Sequence, residues 1–164
     1  MKKVTVASLI LAGSLAVGAA LAAGAALAAD TIPSLPPPQR DAALERARAA
    51  IAQKDWAGAQ GALREAVARD PKNADYHNLY AYAHRKSANP DMSLVFKHYN
   101  EALAIDPKHR GAHEYIGEAY LMIGNVAKAK EHLAQLDKLC FFGCTEFTDL
   151  KNAIAAHETK KMAK

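Results

Sequence analysis

The sequence holds no glycine-rich phosphate loop, no G-x-S-x-G elbow and no H-E-x-x-H pair. Those short patterns fix a phosphate cradle, a nucleophile or a zinc ion on a defined turn. Glu114 and Glu118 stand one helical turn apart, in the spacing of a general acid/base pair, but no further group completes a constellation around them. The chain is therefore read as non-catalytic, with no cofactor. An excess of one charge is also missing. There are 21 Lys+Arg against 17 Asp+Glu, and 19 against 17 once Lys2 and Lys3 are set aside. So even a balance gives no reason to expect nucleic acid or an anionic membrane surface as a partner.

Between Val4 and Ala29 there is no charge of either sign. Met1-Lys2-Lys3 precedes this stretch, and Ala26-Leu27-Ala28 presents the small residues that a signal peptidase reads. Residues 1–28 are read as a secretory signal peptide cut after Ala28. The rival is an uncleaved inner-membrane anchor. Against it, Ala and Gly dominate the run and drive insertion weakly. No cysteine lies near the cleavage region, so no lipid-modified N-terminus is expected. The expected location is periplasmic or secreted; under the rival, the domain is anchored outside the cytoplasm. Residues 29–39, with Pro36-Pro37-Pro38, cannot continue a helix and read as an extended linker.

Cysteine is scarce: the only two are Cys140 and Cys144, in the stretch LCFFGCTEF. A redox centre wants C-x-x-C at a helix start beside strands. A copper site wants soft thiolates with a nearby histidine, for which His132 and His157 are available. In an oxidising compartment an even cysteine count favours a disulfide. On that reading residues 140–144 form a tight loop, with Phe141 and Phe142 as local core.

Strand signals are absent as well. Ala, Leu, Glu, Lys and Arg dominate beyond residue 40, and apolar residues recur every three to four positions. The pattern then repeats. ALREAVARDPKNA, beginning at Ala62, returns as YNEALAIDPKHRGA, beginning at Tyr99, and Pro71 and Pro107 are 36 residues apart. Each Asp-Pro-Lys closes one amphipathic segment and precedes another. Two helices in a period of about 34 residues mark a helical solenoid.

The register resembles that of the tetratricopeptide repeat family. Gly117, Tyr120, Gly124, Asn125, Ala129 and Leu133 fall at repeat positions 8, 11, 15, 16, 20 and 24. Ala81, Tyr99, Ala102 and Pro107 match one unit earlier, with two extra residues in the 87–91 turn and Val95 at position 20. Asp55-Trp56, Ala59, Leu63, Ala66 and Pro71 match in a first unit whose opening helix is mostly alanine. The resemblance implies an all-α, right-handed α-solenoid over residues 40–139, with repeats at about 40–73, 74–109 and 110–139. Small residues at positions 8 and 20 would let the helices of one hairpin approach closely. One hairpin cannot bury its own apolar face, so stability comes from stacking, and the last hairpin needs a cover. Residues 145–159 supply a capping helix with Phe147, Leu150, Ile154 and His157 on one face, and Thr145 serves its first turn. Residues 160–164 read as a basic, frayed tail. Seven helices are expected.

In the family, positions 2, 5, 9 and 12 of successive first helices line a concave groove. Here they are Asp75, Asn78, Tyr82 and Arg85, then Gly111, Glu114, Glu118 and Leu121, with Leu44 and Arg48 from the first repeat. Asn78, Tyr82, Arg85, Glu114, Glu118 and Leu121 are the candidate partner-binding residues. Glu114 and Glu118 oppose Arg85, which argues against a carboxylate clamp and for a ligand with some positive charge. Trp56 reads as a packing residue that pins a hairpin turn. His109 and His113 are four apart, as metal ligands on one helix face are. However, His77 and His113 occupy position 4 and His84 position 11, which are packing positions, and no acid or cysteine completes a closed set. The expected function is a protein- or peptide-binding adaptor or assembly factor in the cell envelope. The alternative is a metal-handling or thiol-redox accessory protein using Cys140, Cys144 and histidines.

Overall fold

The computed structural model describes residues 41–163. The expected signal peptide and proline-rich linker lie outside the described residues. Seven helices and no strand occur among those described: α1 Ala42–Ala52, α2 Trp56–Arg69, α3 Ala74–Arg85, α4 Met92–Ile105, α5 Arg110–Met122, α6 Val126–Leu139 and α7 Thr145–Met162. Six start on a side-chain cap. Asp41, Asp55, Asn73, Asp91, His109 and Asn125 each accept from a backbone N–H in the first turn that has no helical partner. The turn before Asn125 uses Gly124 at φ +77°. At the equivalent place before Asp55 stands Lys54 at φ 58°, a conformation that L side chains adopt at a cost.

Helices pair as antiparallel hairpins α1–α2, α3–α4 and α5–α6, and each hairpin stacks on the next. The odd-numbered helices also touch one another in sequence, from α1 to α3 to α5 to α7, whereas α2 and α4, and α4 and α6, do not meet. Helices close together on one side and splayed on the other make a curved stack. The odd helices therefore form its inner wall. The result is an all-α helical-repeat solenoid. Apolar side chains bury between successive hairpins in three groups: one around Leu63 and Tyr76, one around Tyr99 and Ile116, and one around Leu136 and Leu150.

α7 takes the place that a fourth repeat's first helix would occupy. Leu150 and Ile154 are buried against α5 and α6, while Phe147 and His157 are half-buried. A methyl group on Gly117 would sit 2.6 Å from Leu150 Cδ2. The small residue at position 8 thus admits α7, and its close neighbour is not the partner helix of its own hairpin. α7 also runs to Met162, three residues beyond the expected boundary, so part of the basic tail is helical.

Two expectations near Cys140 fail. Phe141 and Phe142 are 86% and 97% exposed. The loop projects beyond the end of α6 and has no neighbouring element to pack against, so apolarity alone does not bury them. Thr145 is not a cap either. Cys144 holds the N-cap position, with no side-chain hydrogen bond. Cys140 and Cys144 are joined as a disulfide in the structure, with Cα atoms 5.5 Å apart. The covalent link ties the end of α6 to the uncapped start of α7. Replacing both cysteines by serine is expected to cost about 2 kcal/mol on the loop-entropy account. Denaturant midpoints of wild type and variant, each with and without reductant, check this; four equal midpoints would show that the disulfide does not stabilise the fold.

Candidate binding groove

Asn78, Tyr82 and Arg85 fall on one stripe of α3, and Glu114, Glu118 and Leu121 on one stripe of α5, because three and four residues are about one helical turn. The structure brings the two stripes together and gives their members different roles. Arg85 is a brace in the groove floor. Its side chain is 5% exposed, and Nη2 lies 2.6 Å from Glu118 Oε2. Its Nε–H donates to the Tyr99 hydroxyl at 3.2 Å. The guanidinium also lies 5.4 Å and 5.6 Å from the Tyr82 and Tyr115 ring centroids, within cation–π reach. Tyr82 meets Tyr115 at 4.7 Å and Trp56 at 6.1 Å between centroids. Trp56 thus joins one hairpin to the next, beyond pinning its own turn.

Leu121 is buried in the apolar group beneath α7. Asn78 is buried, its Oδ1 finds no hydrogen-bond partner, and Nδ2 lies 3.3 Å from where a Cβ on Gly111 would stand. Glu114 is 8% exposed and has no hydrogen bond or ion pair among the described residues. Its carboxyl is pushed up to about 8, first by burial and then by the charges of Glu118, Asp149 and Glu146, with Arg85 acting the other way. Glu146 and Asp149 belong to α7, and the sequence reading missed them by treating that helix only as a cover. Glu146 Oε1 lies 3.7 Å from Arg110 Nε.

At the N-terminal end of the groove a cleft of about 370 Å³ is lined by residues including Asp75, Lys108, His109, Gly111 and Glu146. His109 Nδ1 accepts from the Ala112 N–H, so Nε2 carries the proton and donates to Asp75 at 3.2 Å. That hydrogen bond holds the Asp75 carboxyl below its usual range.

A tetratricopeptide-repeat family model matches residues 41–73. That is the first hairpin, whose opening helix departs furthest from the repeat register. Among solved structures, the TPR2B domain of yeast Sti1 in a pHsp70 complex superimposes with a TM-score of 0.63 at 20% identity, covering 72% of this chain and 94% of that one. The first hairpin thus matches the tetratricopeptide-repeat family model, and the described residues share the fold of a TPR domain. No curated protein matches the chain.

The remaining histidines of this repeat protein form two like pairs. His77 Nδ1 lies 2.8 Å from His98 Nδ1, and His77 Nε2 lies 3.0 Å from the Pro71 carbonyl. One repeat later, His113 Nδ1 lies 3.0 Å from His132 Nδ1, and His113 Nε2 lies 3.0 Å from the Pro107 carbonyl. A carbonyl only accepts, so Nε2 of His77 and His113 must carry the proton. Their Nδ1 then accepts, and His98 and His132 must donate. Each pair ties the turn before a repeat to both helices of its hairpin. His113 is therefore directed at His132, while His109 caps α5, so the two do not share a ligand set. No group of three His, Cys, Asp or Glu side chains among the described residues is arranged to hold a metal.

Proposed function

We propose that the chain is a non-catalytic adaptor or assembly factor in the cell envelope, holding a protein or peptide segment in the groove of α3, α5 and α7. The observation that carries this reading is the groove floor. Glu114 is a largely buried carboxyl with no hydrogen bond or ion pair among the described residues, on the wall that the repeats turn inward. A carboxylate so placed without a counter-charge is costly, and a bound segment would supply one. The fold supports the same reading, since the Sti1 domain of similar fold was solved in a pHsp70 complex. Export rests on the N-terminal pattern, and the disulfide at Cys140 and Cys144 suits an oxidising compartment. No arrangement of cysteines and histidines favours the metal or thiol-redox alternative.

The test is a pull-down from an envelope extract with wild type and Tyr82→Ala. Tyr82 is half-buried on the α3 stripe, so its removal is expected to lower partner recovery at least severalfold. Equal recovery by a folded variant would take the groove out of the function. Finding the chain itself in the cytosolic fraction would overturn the location.

A further inference from the structure

Glu114 lies in the middle of α5, with α3 on one side and α7 on the other. The charges acting on it come from Glu118 of its own helix, Asp149 and Glu146 of α7, and Arg85 of α3. Three of these four neighbours are acids. The one cation among them is already committed, because Arg85 pairs with Glu118 at 2.6 Å. Arg110 pairs with Glu146 at the end of the groove, at 3.7 Å. Glu114 and Asp149 have no cation within ion-pair distance among the described residues.

Burial adds a second, separate fact. Glu114 is more than nine-tenths buried without a partner, yet its oxygens are not sealed off as Asn78 Oδ1 and His84 Nε2 are. The carboxyl therefore keeps some contact with solvent, on a helix that lies between α3 and α7. An ion so placed without a counter-charge is costly to the free protein. We infer that this carboxyl is the receptor for a lysine or arginine side chain of a segment crossing the groove.

A side chain fits better than a chain terminus. The site is at mid-groove, so a bound segment continues on both sides of it. Binding a cation there favours the ionised carboxylate. Glu114 is partly protonated near pH 7.5 in the free protein, so association releases a proton.

This inference rests on the groove reading, and one experiment separates the two. A random decapeptide library, N-acetylated and C-amidated, is panned on the full chain and on Glu114→Gln. Wild type is expected to enrich Lys or Arg at least tenfold at one internal position. Glu114→Gln is expected to lose that enrichment and to melt about 4 °C or more higher at pH 8, since it no longer buries an ionisable group. A merely structural glutamate would not pair weaker selection with higher stability. Calorimetry of a selected peptide in buffers of different ionisation enthalpy is expected to show a fraction of a proton released. Selected peptides without a basic position, or equal enrichment on both proteins, would overturn the cation receptor and leave the groove standing. No peptide recovered by wild type would overturn both. Selection of a free α-amino group over internal lysine, in a companion library with unblocked ends, would overturn the side-chain assignment.

Discussion

Stability of the Glu114→Gln protein is expected to be level above pH 6.5 and to fall by about 4 kcal/mol on acidification to pH 4.5. The main cause is the pair of histidine staples, and His84, which burial also lowers, acts in the same direction. His98 is held down to about 4, first by burial and then by the charges of His77, Lys97 and His84. His132 is also held down to about 4, first by burial and then by His113. The unfolded chain takes up protons on these residues through pH 6.5, and the folded chain resists until about 4. Their contribution is therefore complete above 6.5 and lost as the pH falls. Each pH unit separating the folded from the unfolded titration of one histidine is worth about 1.4 kcal/mol, and the two staples add; the half-buried position of His132 reduces the total. Glu114 works in the opposite sense. Its folded value of about 8 lies above its unfolded one, so its contribution is complete below about 4.5 and lost as the pH rises through 8. Wild type is thus expected to be most stable near pH 6.5, and the glutamine variant isolates the histidines. Asp41 and Asp75, both lowered by hydrogen bonds, enter only below this window. Urea midpoints from pH 4.5 to 8 measure all of it. A glutamine variant with constant stability over that range would end the account.

The fold was largely legible because a solenoid must repeat its packing residues to stack. The 36-residue return of Asp-Pro-Lys, with its periodic apolar flanks, left few other architectures open. The groove stripes were legible for the same reason: register places a residue on a face. What each residue does there depends on neighbours far away in sequence. Arg85 looked like a free cation because its clamp comes from Tyr99 and Tyr115 on other helices. Glu114 looked like half of a pair because the acids on α7 lay outside the repeat pattern. The histidine staples did leave a trace. His77 and His98 are 21 apart, and His113 and His132 are 19 apart. The difference equals the two extra residues in the 87–91 turn, so one position on the second helix supplies both partners. Phe141 and Phe142 show the converse: burial needs an opposing surface, and no local pattern records whether one exists.

Arg85→Met is expected to cost about 3 kcal/mol, the low end for breaking a buried ion pair from one side. Methionine keeps most of the stem's packing but gives nothing to Tyr99, whose buried hydroxyl then loses its donor. Two aromatic faces lose their cation, and Glu118 joins Glu114, Glu146 and Asp149 as a further uncompensated acid. The reciprocal change is expected to be milder. Glu118→Gln leaves the guanidinium with Tyr99, with two rings and with Glu114 as the next counter-charge, at a cost of about 1–2 kcal/mol. It also draws the Glu114 carboxyl toward Arg85, so the variant is expected to lose affinity for a basic peptide although no ligand contact is assigned to Glu118. The double variant closes a cycle whose coupling reads the pair alone. A loss below 1 kcal/mol for Arg85→Met would show that the brace is not structural. Undiminished basic-peptide affinity in Glu118→Gln would show that Glu118 does not keep Arg85 away from Glu114. Both expectations rest on one division of charge: Glu118 neutralises Arg85 inside the wall, and Glu114 is left to face the groove.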